Sequence, residues 1–104
     1  MMTYCVIVLT VPETHADAVR EAMGQAGAGH IGEYAFCSFS MKGTGRFLPL
    51  AGANPFLGSA GKMESCTEER IETMCHKDKL PAVLQAIRKA HPYETPYIYT
   101  FTVS

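Results

Sequence analysis

The sequence contains no tryptophan, and acidic and basic residues together make up only 18% of it. The formal net charge is −1. With no basic run or stripe, nothing marks a nucleic-acid partner or an attraction to an anionic membrane surface. Long hydrophobic runs are absent too. The longest, Tyr4 to Leu9, is far short of the roughly 20 apolar residues that span a bilayer as a helix. That run has no charged region before it and no cleavage site, so it is not read as a signal peptide, and the expected compartment is the cytoplasm. Cysteine is sparse. Cys5, Cys37, Cys66 and Cys75 are irregularly spaced and form no C-x-x-C pair, so they read as reduced, small apolar residues.

Catalytic signatures are missing as well. No serine or cysteine stands at a recognisable spacing from a base. A phosphate-binding P-loop ending at Gly61-Lys62 fails twice, with Phe56 in place of the first glycine and Met63 in place of the metal-binding hydroxyl. A dinucleotide fingerprint starting at Gly43-Thr44-Gly45 fails at Leu48. No catalytic set is visible, so an enzyme is the least favoured reading.

What is present is a clear order of elements in a chain of one-domain length. Thr3–Val11 is nearly continuous β-branched and apolar sequence, which suits a central strand. Pro12 ends it. A helix is expected from Thr14 to Ala26, capped by Thr14 with Asp17 three residues on, and stopped by Gly27 and Gly29. Its apolar stripe is Ala16, Val19, Met23 and Ala26. Glu33–Met41 reads as the second strand, with Tyr34 and Phe36 on one face and Ala35, Cys37, Phe39 and Met41 on the other. Met63–Cys75 reads as a long third strand whose acidic first half, Glu64, Glu68 and Glu69, faces solvent. Asp78 caps a second helix, Lys79–Ala90, with Pro81 in its first turn and Leu80, Val83, Leu84, Ile87 and His91 inward. Pro96–Val103 alternates cleanly as the last strand. The order β-α-β-β-α-β predicts an α+β, ferredoxin-like fold, a four-stranded antiparallel sheet with both helices on one face.

Two stretches stand out as candidate sites. Lys42–Lys62 holds five of the nine glycines, Gly43, Gly45, Gly52, Gly58 and Gly61, with Pro49 and Pro55. It follows neither helical nor strand periodicity, yet carries Phe47, Leu48, Leu50, Phe56 and Leu57. It reads as an ordered, glycine-rich ligand or interface loop, with an irregular anion nest beside Arg46 or Lys62 as the alternative. The second stretch, His91-Pro92-Tyr93-Glu94-Thr95-Pro96, joins the second helix to the last strand. Structurally it is a proline-fixed turn in which Tyr93 packs. Functionally, His91 and Glu94, with His30, are the candidates for a divalent metal.

Gly43-Thr44-Gly45-Arg46-Phe47 with Pro49, Gly52-Ala53-Asn54-Pro55, Gly58, Gly61, Glu69-Arg70-Ile71-Glu72 and His91-Pro92-Tyr93-Glu94 occur in this order. Together they resemble the domain inserted in bacterial Nif-three-like (YqfO-like) proteins, which also occurs as a stand-alone chain. The resemblance runs over nearly all of the sequence. It implies a ferredoxin-like fold related to the CutA-like and PII-like oligomeric proteins. In the full-length relatives the dinuclear metal centre lies in the flanking domain, so its ligands and any hydrolase activity are not carried over. Thr95 stands where a second glutamate is common.

The expected function is a non-catalytic, oligomeric binding or regulatory module, with a possible protein partner and an unidentified ligand. The alternative is a divalent-metal-binding protein of CutA-like character, using His91, Glu94 or His30 across a subunit interface. The oligomer is expected to be a trimer on the resemblance, with a dimer as the rival. Its glue is expected to be the sheet face opposite the helices, with Tyr34, Phe36 and Met74, and the apolar loop residues Phe47, Leu50 and Phe56.

Overall fold

The structure, a computed structural model, describes residues 3–103. Its elements are β1 (Tyr4–Pro12), α1 (Ala16–Gln25), β2 (Phe39–Phe47), β3 (Glu64–His76), α2 (Leu80–Ala90) and β4 (Ile98–Val103). A 3₁₀ turn leads into each helix, Glu13–His15 before α1 and Lys77–Lys79 before α2. The strands form one antiparallel sheet in the order β2-β3-β1-β4, the expected ferredoxin-like arrangement.

β1 is central because its sequence can be buried on both faces. Ile7, Leu9 and Val11 pack under the helices and Val8 is buried on the opposite face. In antiparallel pairing, opposed residues share a face. Cys5, Ile7 and Leu9 therefore carry Cys75, Thr73 and Ile71 of β3 with them to the helix side. Ala16, Val19 and Met23 of α1 and Val83 and Ile87 of α2 complete this core. Burying one such Val or Ile side chain stabilises the fold by roughly 1.5–3 kcal/mol. β1 also aligns the two ends of the fold, since Tyr4 is paired with Val103 of β4.

α1 stops as its glycines predict. The Ala28 N–H donates to the Met23 carbonyl at 3.0 Å and the Gly27 N–H to the Gly24 carbonyl at 3.1 Å. With Gly27 at φ 109°, this is a Schellman closure, which needs a left-handed residue past the cap. The two helix starts differ from expectation. Thr14 does not cap α1; its hydroxyl pairs with His15 Nδ1 at 2.8 Å, and Asp17 pairs with Arg20 at 2.6 Å instead of closing a capping box. Asp78 falls inside the 3₁₀ turn, one residue before the N-cap Lys79. At α1, local side-chain partners outcompete the helix amides.

The largest correction concerns β2. It runs from Phe39 to Phe47, not from Glu33 to Met41. Phe36 takes φ 60°, which breaks any strand there, and its ring lies over Gly24, where a Cβ would overlap it. The Thr73 hydroxyl donates to the Cys37 carbonyl at 2.8 Å, and the Gly29 N–H to the Met74 carbonyl at 2.7 Å. These bonds fix residues 29–37 as a turn against β3. Lys42–Phe47, expected as loop, pairs with Glu64–Glu69. Gly43 and Gly45 are thus strand glycines. The acidic half of β3 is not uniformly solvent-facing either. Glu68 is buried, and Glu69 is half-buried beneath Arg20 at 2.6 Å.

Among the described residues no helix is long and apolar enough to cross a membrane.

Candidate functional site

The sheet face away from the helices is left open. Register places Phe39 and Met41 of β2, Arg70 and Met74 of β3, Val6, Val8 and Thr10 of β1, and Tyr99 and Phe101 of β4 on it. Phe39 is 62% exposed and Phe101 49%. Tyr34 and Phe36 are exposed as well, but they lie in the turn before β2 and not on this sheet face. The open face is thus apolar on its two sides, with the charged Arg70 and Glu72 of β3 between them, and is built partly from other residues than expected.

One end of this face deepens into a cleft of about 730 Å³. Its floor comes from the sheet, including Thr10, Gly45, Glu68 and Arg70. One wall is the chain after β2, with Pro49, Pro55, Phe56 and Leu57. The other is the connection from α2 to β4, with Tyr93, Glu94 and Thr95. The two stretches singled out in the sequence thus meet. Of their candidate residues, Gly43, Gly45, Arg46, Phe47, Pro55, Tyr93 and Glu94 line the cleft, whereas Gly52, Gly58, Gly61, His91 and His30 do not. Gly58 and Gly61 take φ 88° and 79°, so they shape the loop rather than the cleft.

The walls are joined by specific contacts. The Tyr93 ring packs edge-on against Phe47, with centroids 5.6 Å apart, and stands 6.3 Å from the Phe56 ring. Phe56 in turn meets His15 at 5.2 Å. The Glu94 carboxylate accepts from the Asn54 N–H at 3.2 and 3.3 Å through its two oxygens, tying the loop to the α2–β4 connection.

Glu68 was not foreseen as a site residue, and it is the most unusual group here. It is 7% exposed and has no ion-pair partner among the described residues. Its Oε2 accepts the Tyr93 hydroxyl at 2.7 Å. Gly45 makes room for it, because a Cβ there would overlap the Glu68 carboxyl group. Burial, with the bond to Glu68, pushes the Tyr93 phenol well above its ordinary value, so it keeps its proton as a donor. Only the strand register brings Glu68 over a glycine, so no motif in the sequence announces it.

His91 sits behind the cleft wall, 6% exposed. Its Nε2–H donates to the Thr10 carbonyl at 2.7 Å, and its Nδ1 accepts the Tyr93 N–H at 3.2 Å. Both ring nitrogens are engaged, which fixes the neutral tautomer. Burial lowers its pKa, and the bond to Thr10 opposes that only in part. His30 is exposed in the turn after α1, away from the cleft. Among the described residues no group of three or more His, Cys, Asp or Glu is placed to hold a metal ion. Within one chain, His91, Glu94 and His30 do not assemble a metal site.

Fold and open face together define the class, a ferredoxin-like α+β module of the CutA-like kind. The family described as "CutA1 divalent ion tolerance protein" matches residues 58–104. The structure of the "Periplasmic divalent cation tolerance protein CutA" from Archaeoglobus fulgidus superposes with a TM-score of 0.68 at 18% identity, covering 97% of this chain and 84% of that one. More particularly, the chain is homologous to one segment of the NIF3-related proteins. The Bacillus cereus protein related to NIF3 matches with a TM-score of 0.84 and 40% identity, over 99% of this chain and 26% of that one. The "GTP cyclohydrolase 1 type 2 homolog" of Halalkalibacterium halodurans is 51% identical over 90 residues, which is 86% of this chain and 24% of that protein. The chain thus spans about a quarter of the length of the curated relatives it matches.

Proposed function

We propose that this protein is a non-catalytic binding module that assembles from copies of itself and holds a small ligand in the cleft. The observation that carries the proposal is the open sheet face. Phe39, Met41, Tyr97, Tyr99 and Phe101 are all more than 40% exposed, flanking the Arg70–Glu72 pair of β3 on the same face, and exposed apolar groups gathered on one face with a few charges mark interaction surfaces. Packing this face against a second copy removes it from water and closes the open side of the cleft. Three copies are proposed, on the CutA-like resemblance, and the cytoplasm is the proposed location on the sequence grounds given above. Light scattering after gel filtration tests the assembly. A mass near three times the 11.4 kDa chain is expected. A dimer would keep the interface and overturn the count, and a stable monomer would overturn both.

A second reading, divalent-cation binding, is favoured by the description of the matched family. Because one chain gathers no metal-holding group among its described residues, this reading needs ligands from two copies. Calorimetric titration of the assembled protein with zinc or copper tests it, and the absence of heat with either ion tells against it.

A further inference from the structure

We propose that the cleft takes an organic ligand with two kinds of end: a flat head offering paired N–H groups to Glu68, as in a guanidine or amidine edge, and an anionic tail held by Arg46. The proposal rests on the cleft reading above and names its ligand class.

The head is specified by Glu68. A carboxyl group largely withdrawn from water is stabilised by any charge or hydrogen bond that reaches it. Oε2 has the Tyr93 hydroxyl, whereas Oε1 accepts no hydrogen bond among the described residues and stays reachable from the cleft, since no fully buried side-chain oxygen among them lacks a partner, and no cation among the described residues pairs with the group. An incoming pair of N–H groups matches the geometry of a carboxylate and supplies what the chain does not. The walls favour a flat head. Phe47, Phe56 and Tyr93 form an aromatic corner beside Glu68, and planar guanidine-type groups stack on such rings.

The tail is specified by the three cations of the cleft, which are not equivalent. Lys42 lies 3.5 Å from Glu13 and Arg70 lies 3.4 Å from Glu72. Arg46, exposed at the end of β2, has no ion pair among the described residues. It is the cation left for a carboxylate or a phosphate. Arginine-like amino acids and guanine nucleotides share this pattern of head and tail, so the test separates them.

Wild type, Glu68→Gln and Arg46→Ala are titrated calorimetrically with arginine, with agmatine, which lacks the carboxylate, with guanosine monophosphate, and with adenosine monophosphate, which lacks the paired N–H edge. Circular dichroism and light scattering on the same samples report fold and assembly. Binding of arginine or guanosine monophosphate is expected, weakened about tenfold or more by Glu68→Gln, since hydrogen bonds to charged groups are worth about 1.5–3 kcal/mol. Arg46→Ala, an exposed change that leaves folding intact, is expected to weaken both of these ligands but not agmatine, and adenosine monophosphate is expected not to bind. Failure of arginine and guanosine monophosphate alike on a correctly assembled protein overturns the ligand class and leaves the assembly reading standing. So does binding that Glu68→Gln and Arg46→Ala both leave unchanged. A monomer in light scattering tells against the assembly reading alone.

Discussion

His91 reaches across 81 residues to donate its Nε2 proton to the carbonyl of Thr10 at 2.7 Å. The same ring accepts the N–H of Tyr93 through Nδ1, so the fold requires the neutral imidazole. Burial lowers its pKa in the folded state. Below the ordinary value of about 6.5 the unfolded chain therefore binds the proton more readily than the folded one. Stability from this group is complete above about pH 6.5 and is lost as pH falls through the lowered folded value. Urea midpoints measured between pH 8 and pH 5 are expected to fall toward acid more steeply for wild type than for His91→Gln. Parallel profiles would show that His91 does not carry this dependence.

Tyr93→Phe removes the hydroxyl that donates to the buried Glu68 carboxyl group. The orphaned acceptor should cost about 1–3 kcal/mol in urea unfolding. Adding Glu68→Met to the same variant removes the acceptor as well, and most of the loss should return. If the double variant is less stable than Tyr93→Phe alone, the Tyr93–Glu68 pair is not the source of the cost.

The glycines of β2 and the following loop should separate sharply. At Gly45 a side chain meets the Glu68 carboxyl group, whereas at Gly43 and Gly52 nothing lies within 4 Å. Gly45→Ala is expected to cost about 1–3 kcal/mol by overpacking. Gly43→Ala and Gly52→Ala should be neutral or stabilising by up to about 1 kcal/mol, because alanine restricts the unfolded chain. Thermal melts of the three variants decide this, and equal losses at all three would contradict the assigned strand register.

Phe101→Asp places a charge in the open sheet face, and Tyr34→Asp places one in the turn before β2. If the sheet face is the interface, only the first should reduce the mass seen by light scattering to that of one chain, with circular dichroism unchanged. Dissociation by Tyr34→Asp with Phe101→Asp still assembled would move the interface to the turn.

The layout of the fold was legible because its signals are long and redundant. β1 is a continuous β-branched run, α1 and α2 each carry an apolar stripe, and β4 alternates cleanly. β2 was not legible. Glu33–Ser38 alternates like a strand but is turned by Phe36, whereas Lys42–Phe47 looks like a loop but pairs along β3. Glycine inside a strand has a meaning that depends on the residue beside it, and at Gly45 that residue is Glu68 of another strand. For the same reason Glu68 looked like one more solvated acid. The loop and the His91–Glu94 turn stood out in the sequence as separate stretches, but their meeting across one cleft is a fact of topology that spacing along the chain does not reveal.

The pairing of Tyr4 with Val103 sets the points where the chain enters and leaves this fold side by side, roughly 5 Å apart as antiparallel partners. A unit with such ends behaves like a socketed attachment. A host polypeptide can open one surface turn, run through the whole unit and resume its own path almost where it left it, with no stretching on either side. The chain matches only about a quarter of the NIF3-related protein it superposes on best in identity and TM-score among those described. The β1–β4 ladder makes that kind of grafting geometrically cheap, and it sets the junction at the end of β1 opposite the cleft.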